Sequence, residues 1–204
     1  MTSPRKPRTR ARTNSKPVSP EQIEQEAVRL FSEKTYPAVG MRDISDAVGL
    51  LPGSLYVHIK SKEELLLNIV ERGIHNYLSV LTPIMQSAEP APERLHKAIL
   101  TYMGVLDSSL AQTKVAIFQW RYLTEPSREH IIELRDQFQQ LFVNLIEDGI
   151  ASGEFTALRH PRIVAIGLIG LLNSTMHWYS PTGPVSAAEI GEQLTEMVLG
   201  GLSR

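Results

Sequence analysis

The chain has 204 residues, of which 42% are apolar and 21% are charged, and this balance is typical of a globular protein with a sizeable buried core. The absence of cysteine excludes disulfide bonds, thiol catalysis and thiolate metal sites, and it fits a reducing cytoplasm, where we expect the protein to reside. The formal net charge is −1, and no apolar segment follows the basic N-terminus, which argues against a secretory signal.

The N-terminal residues 1–16 form a basic arm. They contain six of the 21 basic residues and none of the 22 acidic ones, so the rest of the chain carries a net charge of −7. A basic segment on an acidic body indicates an anionic polymer as a partner, although a solubilising tail is an alternative. If the polymer is DNA, we expect a disordered arm over residues 1–18. In it, Arg8, Arg10 and Arg12 would follow the DNA backbone or enter a minor groove.

From residue 19 on, nearly every segment has helical spacing and almost none shows the alternation of a β-strand. We therefore predict an all-α fold of about nine helices. The first begins at Ser19, which can cap the helix, and Pro20 suits its first position. This helix should end near Lys34, before Tyr36-Pro37. Its buried face comprises Ile23, Ala27, Leu30 and Phe31.

Two short helices separated by a glycine turn follow the first one. The segment from Met41 to Val48 predicts the second helix, whose inward residues are Ile44, Ala47 and Val48. Gly49 suits the left-handed position after its end. A third helix should run from Pro52 to about His58. Two short helices joined by such a turn and packed on a longer helix form the helix-turn-helix pattern.

The third helix is predicted to have one buried and one exposed face, since successive residues turn by about 100°. His58 falls nearer the inner flank than the outer face. The residues Leu51, Leu55 and Ile59 point inward, whereas Pro52, Gly53, Tyr56 and Lys60 point outward, with Val57 at the edge.

An outward glycine, tyrosine and lysine suit close approach to a nucleic-acid duplex. Gly53 lets the backbone come near a phosphate, and Tyr56 offers a hydroxyl and a flat apolar ring. Lys60 and Lys62 add positive charge where the third helix ends and the fourth begins. Lys62 also lies in the first turn of the fourth helix, where free N–H groups favour an anion such as phosphate.

A long amphipathic helix and five further helices account for the remaining residues. The capping box Ser61-Lys62-Glu63-Glu64 opens the long helix, which reaches Pro83 or slightly beyond. The most apolar run, residues 162–179, has an apolar part that ends at Leu172 and is too short to span a bilayer. The further helices are predicted at residues 92–109, 114–123, 127–151, 161–179 and 186–199.

The last two helices carry stripes that predict a homodimer. If the third helix reads DNA, it reads only a few base pairs, so we expect a protein of this size to bind paired half-sites as a two-fold dimer. Small residues let another helix approach closely, and two copies would form a four-helix bundle. Burial of both stripes within one subunit is the alternative. The stripes are Ile163, Gly167, Gly170 and Ser174 on one helix and Ile190, Leu194, Met197 and Val198 on the last one.

Residues 23–66 resemble the DNA-binding domain of the TetR family of bacterial transcriptional regulators. The matching motifs are "AVRLF" (27–31), "RDI" (42–44), Gly49, "GSLYVHI" (53–59) and "SKEELL" (61–66). The resemblance implies a helix-turn-helix domain at residues 19–61 whose third helix enters the major groove. It matches Tyr56, His58 and Lys62 with the family's contacts to phosphates and base edges. Our candidate DNA-binding residues outside the arm are Arg42, Pro52, Gly53, Ser54, Tyr56, His58, Lys60 and Lys62.

Four positions depart from the family pattern. Thr35 stands where a glycine is usual, and Gly40 replaces the customary serine or threonine cap of the second helix. Leu51 replaces a common serine at the start of the third helix, and Ile59 replaces a phenylalanine. The apolar exchanges keep a core, whereas the missing caps at Gly40 and Leu51 cost on the order of 1 kcal/mol each.

Residues 62–204 are expected to bind an effector and to form the dimer. The resemblance implies a pocket among the helices at residues 62–179, to which we assign the aromatic residues there only as a set, because each by itself is more typical of the core. The segments "FQWRYLTEPSREHIIELRDQF" and "LIGLLNSTMHWYSPTG" resemble a subgroup of the family that responds to acyl-CoA thioesters. The candidate ligand-binding residues are Tyr102, Trp120, Arg121, Arg128, Arg135, Phe138, Phe142, Asn173 and His177.

The polar candidates have two interpretations each. Arg121, Arg128 and Arg135 surround a break between two helices, where they would supply cations for the phosphates of CoA. Alternatively, they are surface residues that balance neighbouring acids. Asn173 and His177, one helical turn apart, are either polar anchors for the ligand or structural residues. We expect no metal and no cofactor other than the effector, which could also be a drug or another neutral hydrophobic molecule.

The sequence argues against an enzyme and against a DNA-packaging protein. It contains no glycine-rich phosphate loop, no G-x-S-x-G motif and no paired histidines of a metal site. A packaging protein would be basic throughout, whereas residues 65–204 carry 10 bases and 14 acids. We therefore predict a homodimeric transcriptional repressor that leaves a palindromic operator when it binds a hydrophobic effector. The effector would be an acyl-CoA thioester from fatty acid, steroid or aromatic acid breakdown.

Overall fold

The computed structural model describes residues 18–202, and within this range every regular element is a helix, as predicted. The basic arm with Arg8, Arg10 and Arg12 lies outside the described residues. The nine α-helices of the described part are α1 (Pro20–Lys34), α2 (Met41–Ala47), α3 (Pro52–Leu55), α4 (Lys62–Met85), α5 (Ala91–Ser108), α6 (Leu110–Phe118), α7 (Ser127–Ala151), α8 (Pro161–Ser174) and α9 (Ala187–Leu202). Short 3₁₀ turns lie at Tyr36–Ala38, Trp120–Tyr122 and Thr175–His177.

The first helices begin at side-chain caps that the sequence indicates. The Ser19 hydroxyl accepts a hydrogen bond from the Gln22 N–H at 3.3 Å, and the Gln22 side chain accepts one from the Ser19 N–H at 3.0 Å. The Ser61 hydroxyl likewise accepts from the Glu64 N–H at 3.0 Å at the start of α4. At Gly40, which has no side chain to cap α2, the Asp43 carboxylate accepts from the Gly40 N–H at 2.7 Å. Half of a capping box therefore remains at this position.

The turns on either side of α2 need backbone conformations with positive φ. Gly49 has φ 71°, in the left-handed region predicted for it. Thr35, at the position where the family pattern has a glycine, has φ 71° as well. A residue with a Cβ is strained in this conformation, at a cost of about 1–3 kcal/mol. The departure at Thr35 therefore changes the residue and keeps the turn.

Several predicted helix boundaries differ from the observed ones. The third helix ends at Leu55 instead of His58, and hydrogen-bonded turns carry the chain to Ile59. Helix α6 begins at Leu110, earlier than predicted, and ends at Phe118, where a 3₁₀ turn takes over. Helix α8 ends at Ser174 for the same reason. Apolar spacing does not distinguish a 3₁₀ turn from the last turn of an α-helix, because both bury similar positions.

The described residues form two adjoining hydrophobic cores. The smaller one joins α1, α2 and α3 to the first half of α4, through residues such as Phe31, Leu55 and Ile69. It also contains Val115 of α6 and Leu134 of α7, so the helix-turn-helix is packed directly on the following helices. The larger core joins the second half of α4 to α5, α7, α8 and α9. Helix α4 thus belongs to both cores.

No helix between residues 18 and 202 is both long and apolar enough to cross a membrane. Helix α8, in the most apolar run of the sequence, has 14 residues and buries Ala165, Leu168 and Leu172. These residues face the larger core. The helix is thus a packed helix of the larger core, as its length predicts.

Candidate DNA interface and effector pocket

The exposed residues around α3 form a continuous surface. Gly53 is exposed, and no atom lies within 4 Å of the position that a Cβ would take there. The Tyr56 side chain is 55% exposed, and Pro52, Ser54 and Lys60 are exposed beside it. Leu55 and Ile59 are buried behind this surface, as predicted. The backbone at Gly53 and the ring of Tyr56 are therefore accessible to a duplex.

Three predictions about buried faces in this region were wrong. Leu51 is 76% exposed because it is the N-cap of α3, where the backbone is extended and the helical wheel does not apply. His58 is exposed because α3 has already ended before it, so its direction does not follow the wheel either. Ala47 is exposed at the last residue of α2. The correction at His58 moves its side chain from the inner flank to the outer surface.

Lys60 and Lys62 differ in what their ammonium groups contact. Lys60 is exposed and pairs with Glu64 at 3.3 Å. The Lys62 ammonium donates to the carbonyl oxygen of Val39 at 2.5 Å and lies 4.0 Å from the centroid of the Tyr36 ring. Burial lowers the pKa of Lys62. Lys62 therefore connects α4 to the segment before α2, and its predicted phosphate contact stays a prediction, as does that of the exposed Arg42.

Gln119 connects the helix-turn-helix to α6. Its side chain is buried, with the amide nitrogen donating to the Phe31 carbonyl at 2.6 Å and the amide oxygen accepting from the Tyr36 N–H at 2.5 Å. The rings of Tyr36 and Tyr122 stack at 5.7 Å between centroids. Both contacts involve residues that directly follow α6. A displacement of the end of α6 would therefore also displace the end of α1.

A cavity of about 160 Å³ lies between α4, α5, α6, α7 and α8. Its aromatic wall consists of Tyr77, Tyr102 and Phe138, with 4.7 Å between the ring centroids of Tyr77 and Tyr102. At Gly73 a Cβ would come within 2.7 Å of the Ala116 Cβ, so α4 and α6 touch beside the cavity. The other lining residues are Ile74, Thr113, Ala116, Ile117, Arg135, Asp136, Gln139, Ile169 and Asn173.

The hydroxyl groups in the cavity wall are already hydrogen-bonded. Tyr102 donates to the side-chain oxygen of Asn173 at 2.7 Å, and the Tyr77 hydroxyl lies 3.2 Å from that of Thr113. Burial raises the pKa of Tyr77 to about 12 and also raises that of Tyr102. Both phenols are therefore neutral at physiological pH, and the wall presents rings and satisfied hydroxyls to a ligand.

The structure brings only part of the predicted ligand set to the cavity. Tyr102, Arg135, Phe138 and Asn173 line it. Phe142 is buried behind Phe138, at 5.3 Å between ring centroids. The other four predicted residues, which do not line the cavity, are Trp120, Arg121, Arg128 and His177.

Two of those four residues have contacts elsewhere. Arg128 forms an ion pair with Glu125 at 2.6 Å, which fits the alternative of a surface arginine balanced by an acid. His177 is exposed, with its ring 5.1 Å from that of Phe118. Several small and polar wall residues, such as Gly73, Thr113 and Gln139, were not predicted from the sequence. Gly73 is the wall residue that the sequence could have indicated, because a glycine inside an apolar helical stripe suggests that another helix packs closely there.

The two predicted dimer stripes differ in exposure. On α8, Ile163 is 64% exposed, and no described atom lies within 4 Å of a Cβ position at Gly167 or Gly170. On α9, Met197 is 56% exposed, but Ile190 is buried against the larger core of its own subunit. Leu194 and Val198 are half-buried against the same core. The α8 stripe thus lies on the surface, whereas much of the α9 stripe packs inside the subunit.

Comparisons with known proteins cover both parts of the chain. Residues 23–69 match the family described as bacterial regulatory proteins, tetR family, and residues 88–202 match the tetracyclin repressor-like C-terminal domain. The HTH-type transcriptional repressor KstR2 of Mycobacterium tuberculosis is 30% identical over 182 residues, which cover 87% of this chain and 90% of that protein.

Solved structures show the same fold. The structure of the ketosteroid transcriptional regulator KstR2 of Mycobacterium tuberculosis has a TM-score of 0.86 at 25% identity, covering 93% of this chain and 97% of that one. AibR in complex with isovaleryl coenzyme A and operator DNA has a TM-score of 0.77 at 20% identity, covering 90% and 97%. The likeness to AibR concerns the fold alone.

Proposed function

The chain belongs to the TetR family of bacterial regulatory proteins, whose members bind DNA and regulate transcription, and from this premise we propose that it is a homodimeric repressor. It leaves a palindromic operator when a small hydrophobic effector enters the cavity. The effector is an acyl-CoA thioester from the breakdown of a steroid, a fatty acid or an aromatic acid. A repressor that senses neutral hydrophobic molecules without CoA is the second candidate.

The observation that carries this proposal is the position of α4. Its first half supplies Leu65, Leu66 and Ile69 to the core of the helix-turn-helix, and its second half supplies Ile74 and Tyr77 to the cavity wall. One continuous helix of 24 residues thus touches both sites. A ligand that displaces the second half of α4 changes the orientation of the α3 surface, so the two sites are coupled through α4.

The size and lining of the cavity support an effector with an apolar ring or chain. A cavity of about 150 Å³ lined by apolar residues can hold a molecule the size of benzene, and this one measures about 160 Å³. A CoA moiety, a whole steroid skeleton and a palmitoyl chain are all larger than this volume, so the cavity would hold only one end of the acyl group while the rest of it and the CoA lie outside. The similarity to KstR2, a ketosteroid regulator, favours an acyl group of steroid origin.

The test begins with the selection of an operator from random DNA by the full-length protein. Steroid-acyl-, palmitoyl- and aryl-CoA esters are then compared with the corresponding acids for their ability to release the protein from that DNA. We expect at least one CoA ester to release it, and the DNA to weaken binding of that ester by the same factor. Release by the free acids and the esters alike would favour the second candidate. A failure to select any DNA sequence would refute the proposal.

A further inference from the structure

Two arginines meet at one tryptophan beside the cavity. The Arg135 guanidinium carbon lies 4.9 Å from the centroid of the Trp120 ring, and that of Arg121 lies 5.0 Å from it. Arg135 reaches this position from α7, whereas Trp120 and Arg121 belong to the 3₁₀ turn after α6. Arg135 also lines the cavity itself. Arg135 therefore lies at the edge of the space proposed for the effector, and Arg121 contacts the same indole without lining the cavity.

These two positive charges lack an ion-pair partner among residues 18–202. Four other arginines form ion pairs with carboxylates, namely Arg29, Arg72, Arg94 and Arg128. Neither Arg121 nor Arg135 forms such a pair within this range. Asp136, next to Arg135 in the chain, attracts it without forming an ion pair. Burial and then the neighbouring charge of Arg121 lower the pKa of Arg135. Arg121 is exposed to solvent, whereas Arg135 is half-buried, so the cost of burial falls on Arg135 and the repulsion acts between the two.

The indole adds a further unsatisfied donor. The Nε1 atom of Trp120 is buried and has no hydrogen-bond acceptor among the described residues. Buried polar groups are nearly always hydrogen-bonded. We therefore expect the indole N–H of Trp120 to donate to an acceptor that is not one of the described residues. Guanidinium groups and an indole N–H all donate hydrogen bonds, and none of them accepts one. The chemistry that satisfies the whole group is that of an anion.

We propose that Arg135, Arg121 and Trp120 form a subsite for the anionic group of the effector. The effector then combines an apolar body in the cavity with a carboxylate or a phosphate at this subsite. Arginine suits either group, because its planar fork can donate two parallel hydrogen bonds. This inference rests on the proposed function in that it assigns the cavity to the effector. It adds which end of the effector faces α7 and the turn after α6.

The first test needs no effector. Trp120 and Trp178 are the two tryptophans of the chain, so the variant Trp178→Phe has Trp120 as its single fluorescent indole. In this variant of the full-length protein, we expect the ratio of iodide quenching to caesium quenching of Trp120 to exceed the ratio for free tryptophan, because the subsite attracts anions. Adding Arg135→Met should remove this preference. Adding Arg128→Met instead should not, since Arg128 is paired with Glu125.

The second test uses three probes with the same chain length: octanoyl-CoA, octanoate and octan-1-ol. Binding is followed by the fluorescence of Trp120. We expect Arg135→Met and Arg121→Met to weaken the binding of at least one anionic probe by about tenfold or more and to leave octanol unaffected. A loss confined to octanoyl-CoA assigns the subsite to a phosphate of CoA. A loss for octanoate assigns it to a carboxylate.

The outcomes separate this inference from the proposed function and from a structural stack. If the ratio of iodide to caesium quenching does not exceed that of free tryptophan, or if the arginine variants bind both anions as tightly as their parent does, the subsite is refuted, whatever the protein does with DNA. The same holds if neither anion binds at millimolar concentration. A purely structural stack predicts that Arg135→Met lowers the unfolding temperature without changing the ratio of octanoate to octanol affinity. Arg135→Gln replaces Arg135→Met if circular dichroism shows that the latter is unfolded.

Discussion

Gly149 shows how a single hydrogen atom can decide the packing of two segments. A Cβ at this position would lie 2.3 Å from the Phe155 ring and 2.9 Å from the Cβ of Ala91. The Phe155 ring is almost completely buried, and its backbone N–H donates to the Gly149 carbonyl at 2.8 Å. The missing side chain therefore lets both the loop after α7 and the start of α5 pack directly against α7 at Gly149.

We expect Gly149→Ala to lower the free energy of unfolding by about 1–3 kcal/mol, because the ring and the loop must move to admit a methyl group. Gly104→Ala is the matched control. Gly104 also lies within an α-helix, but no described atom comes within 4 Å of its Cβ position. There the helix propensity of alanine should raise stability by about 0.5–1 kcal/mol. Urea denaturation measures both, and equal effects of the two substitutions would contradict the packing argument.

The hydrogen bonds of the Glu63 carboxylate predict that the stability of the protein depends on pH. Its carboxylate accepts hydrogen bonds from the hydroxyl and the backbone N–H of Thr124, at 2.6 Å and 2.7 Å. These bonds lower the pKa of Glu63 below its ordinary value of 4.5. Since the folded state holds the proton less tightly than the unfolded state, the contribution to stability is present above pH 4.5 and is lost as the pH falls through the folded pKa.

We expect the difference in free energy of unfolding between the wild type and Glu63→Gln to be constant above pH 4.5 and to shrink below it. Glu133→Gln makes the same change of charge at a residue without a hydrogen-bonded side chain in the described part of the chain. Because this substitution removes no hydrogen bond, it shows how much of the change at Glu63 comes from the contact with Thr124. A difference for Glu63→Gln that does not shrink in acid would mean that Thr124 does not stabilise the carboxylate.

At the scale of one element, the segment around α3 contains two neighbouring residues with different predicted roles, one in DNA binding and one in the stability of the fold. Tyr56 is largely exposed, and Leu55 beside it is fully buried. We expect Tyr56→Ala to weaken binding to the selected operator by about 1–3 kcal/mol while leaving the unfolding temperature unchanged. Leu55→Ala should instead lower the free energy of unfolding by about 2–5 kcal/mol. Fluorescence anisotropy with labelled DNA and thermal unfolding measure the two effects.

The result that would exclude Tyr56 from the DNA interface is an unchanged affinity of Tyr56→Ala for the operator. A loss of stability in the same variant would indicate that the ring has a packing role instead. His58→Ala provides a further comparison, since its side chain is exposed on the same segment. The size of its effect relative to that of Tyr56→Ala ranks the two residues as DNA contacts.

At the scale of the whole molecule, the exposed face of α8 predicts a dimer. Gly170→Asp places a charge where the subunit itself has room, because no described atom lies within 4 Å of the Cβ position. The subunit should therefore fold, whereas a partner helix packed on that face would be repelled. We expect sedimentation equilibrium to show a dimer for the wild type and a monomer for the variant, together with weaker operator binding.

Gly104→Asp is the control for this prediction, because it makes the same substitution at an exposed glycine of α5 outside both predicted stripes. It should remain dimeric. A wild-type protein that is monomeric at micromolar concentration, or a Gly170→Asp variant that stays dimeric, would remove the α8 stripe from the interface. The buried position of Ile190 already limits how much of α9 can contribute.

The helix-turn-helix was largely predictable because its signals are local. Caps at Ser19 and Ser61, the left-handed Gly49 and the proline at the start of α3 act over three or four residues. The wheel failed at Leu51 and His58 because α3 has only four residues, so both lie beyond its ends. A short helix has few residues to which helical periodicity applies, and the residues outside it are oriented by their turns.

The cavity was predictable only in part because its wall comes from five different helices. The resemblance implied that Tyr102, Phe138 and Asn173 belong to a ligand pocket, but the sequence could not show which aromatic residues border empty space and which, like Phe142, pack against others. Arg121, Arg128 and Arg135 looked equivalent in the sequence. Their contacts separate them: Arg128 is paired with Glu125 three residues before it, whereas only the folded chain brings Arg135 to Trp120 and its neighbour Arg121.

The sequence by itself determined the all-α class, the order of the helices and the residues that surround α3, since caps, turns and apolar spacing are properties of short segments, and its motifs indicated the family by resemblance. Only the tertiary structure decided that α4 belongs to both cores and that Gln119 ties α6 to α1. It also decided that Arg135 faces a cavity beside a second arginine. These features depend on which helices pack together. Packing is set by the shapes of side chains that are far apart in the sequence, and local sequence patterns contain no information about such pairs.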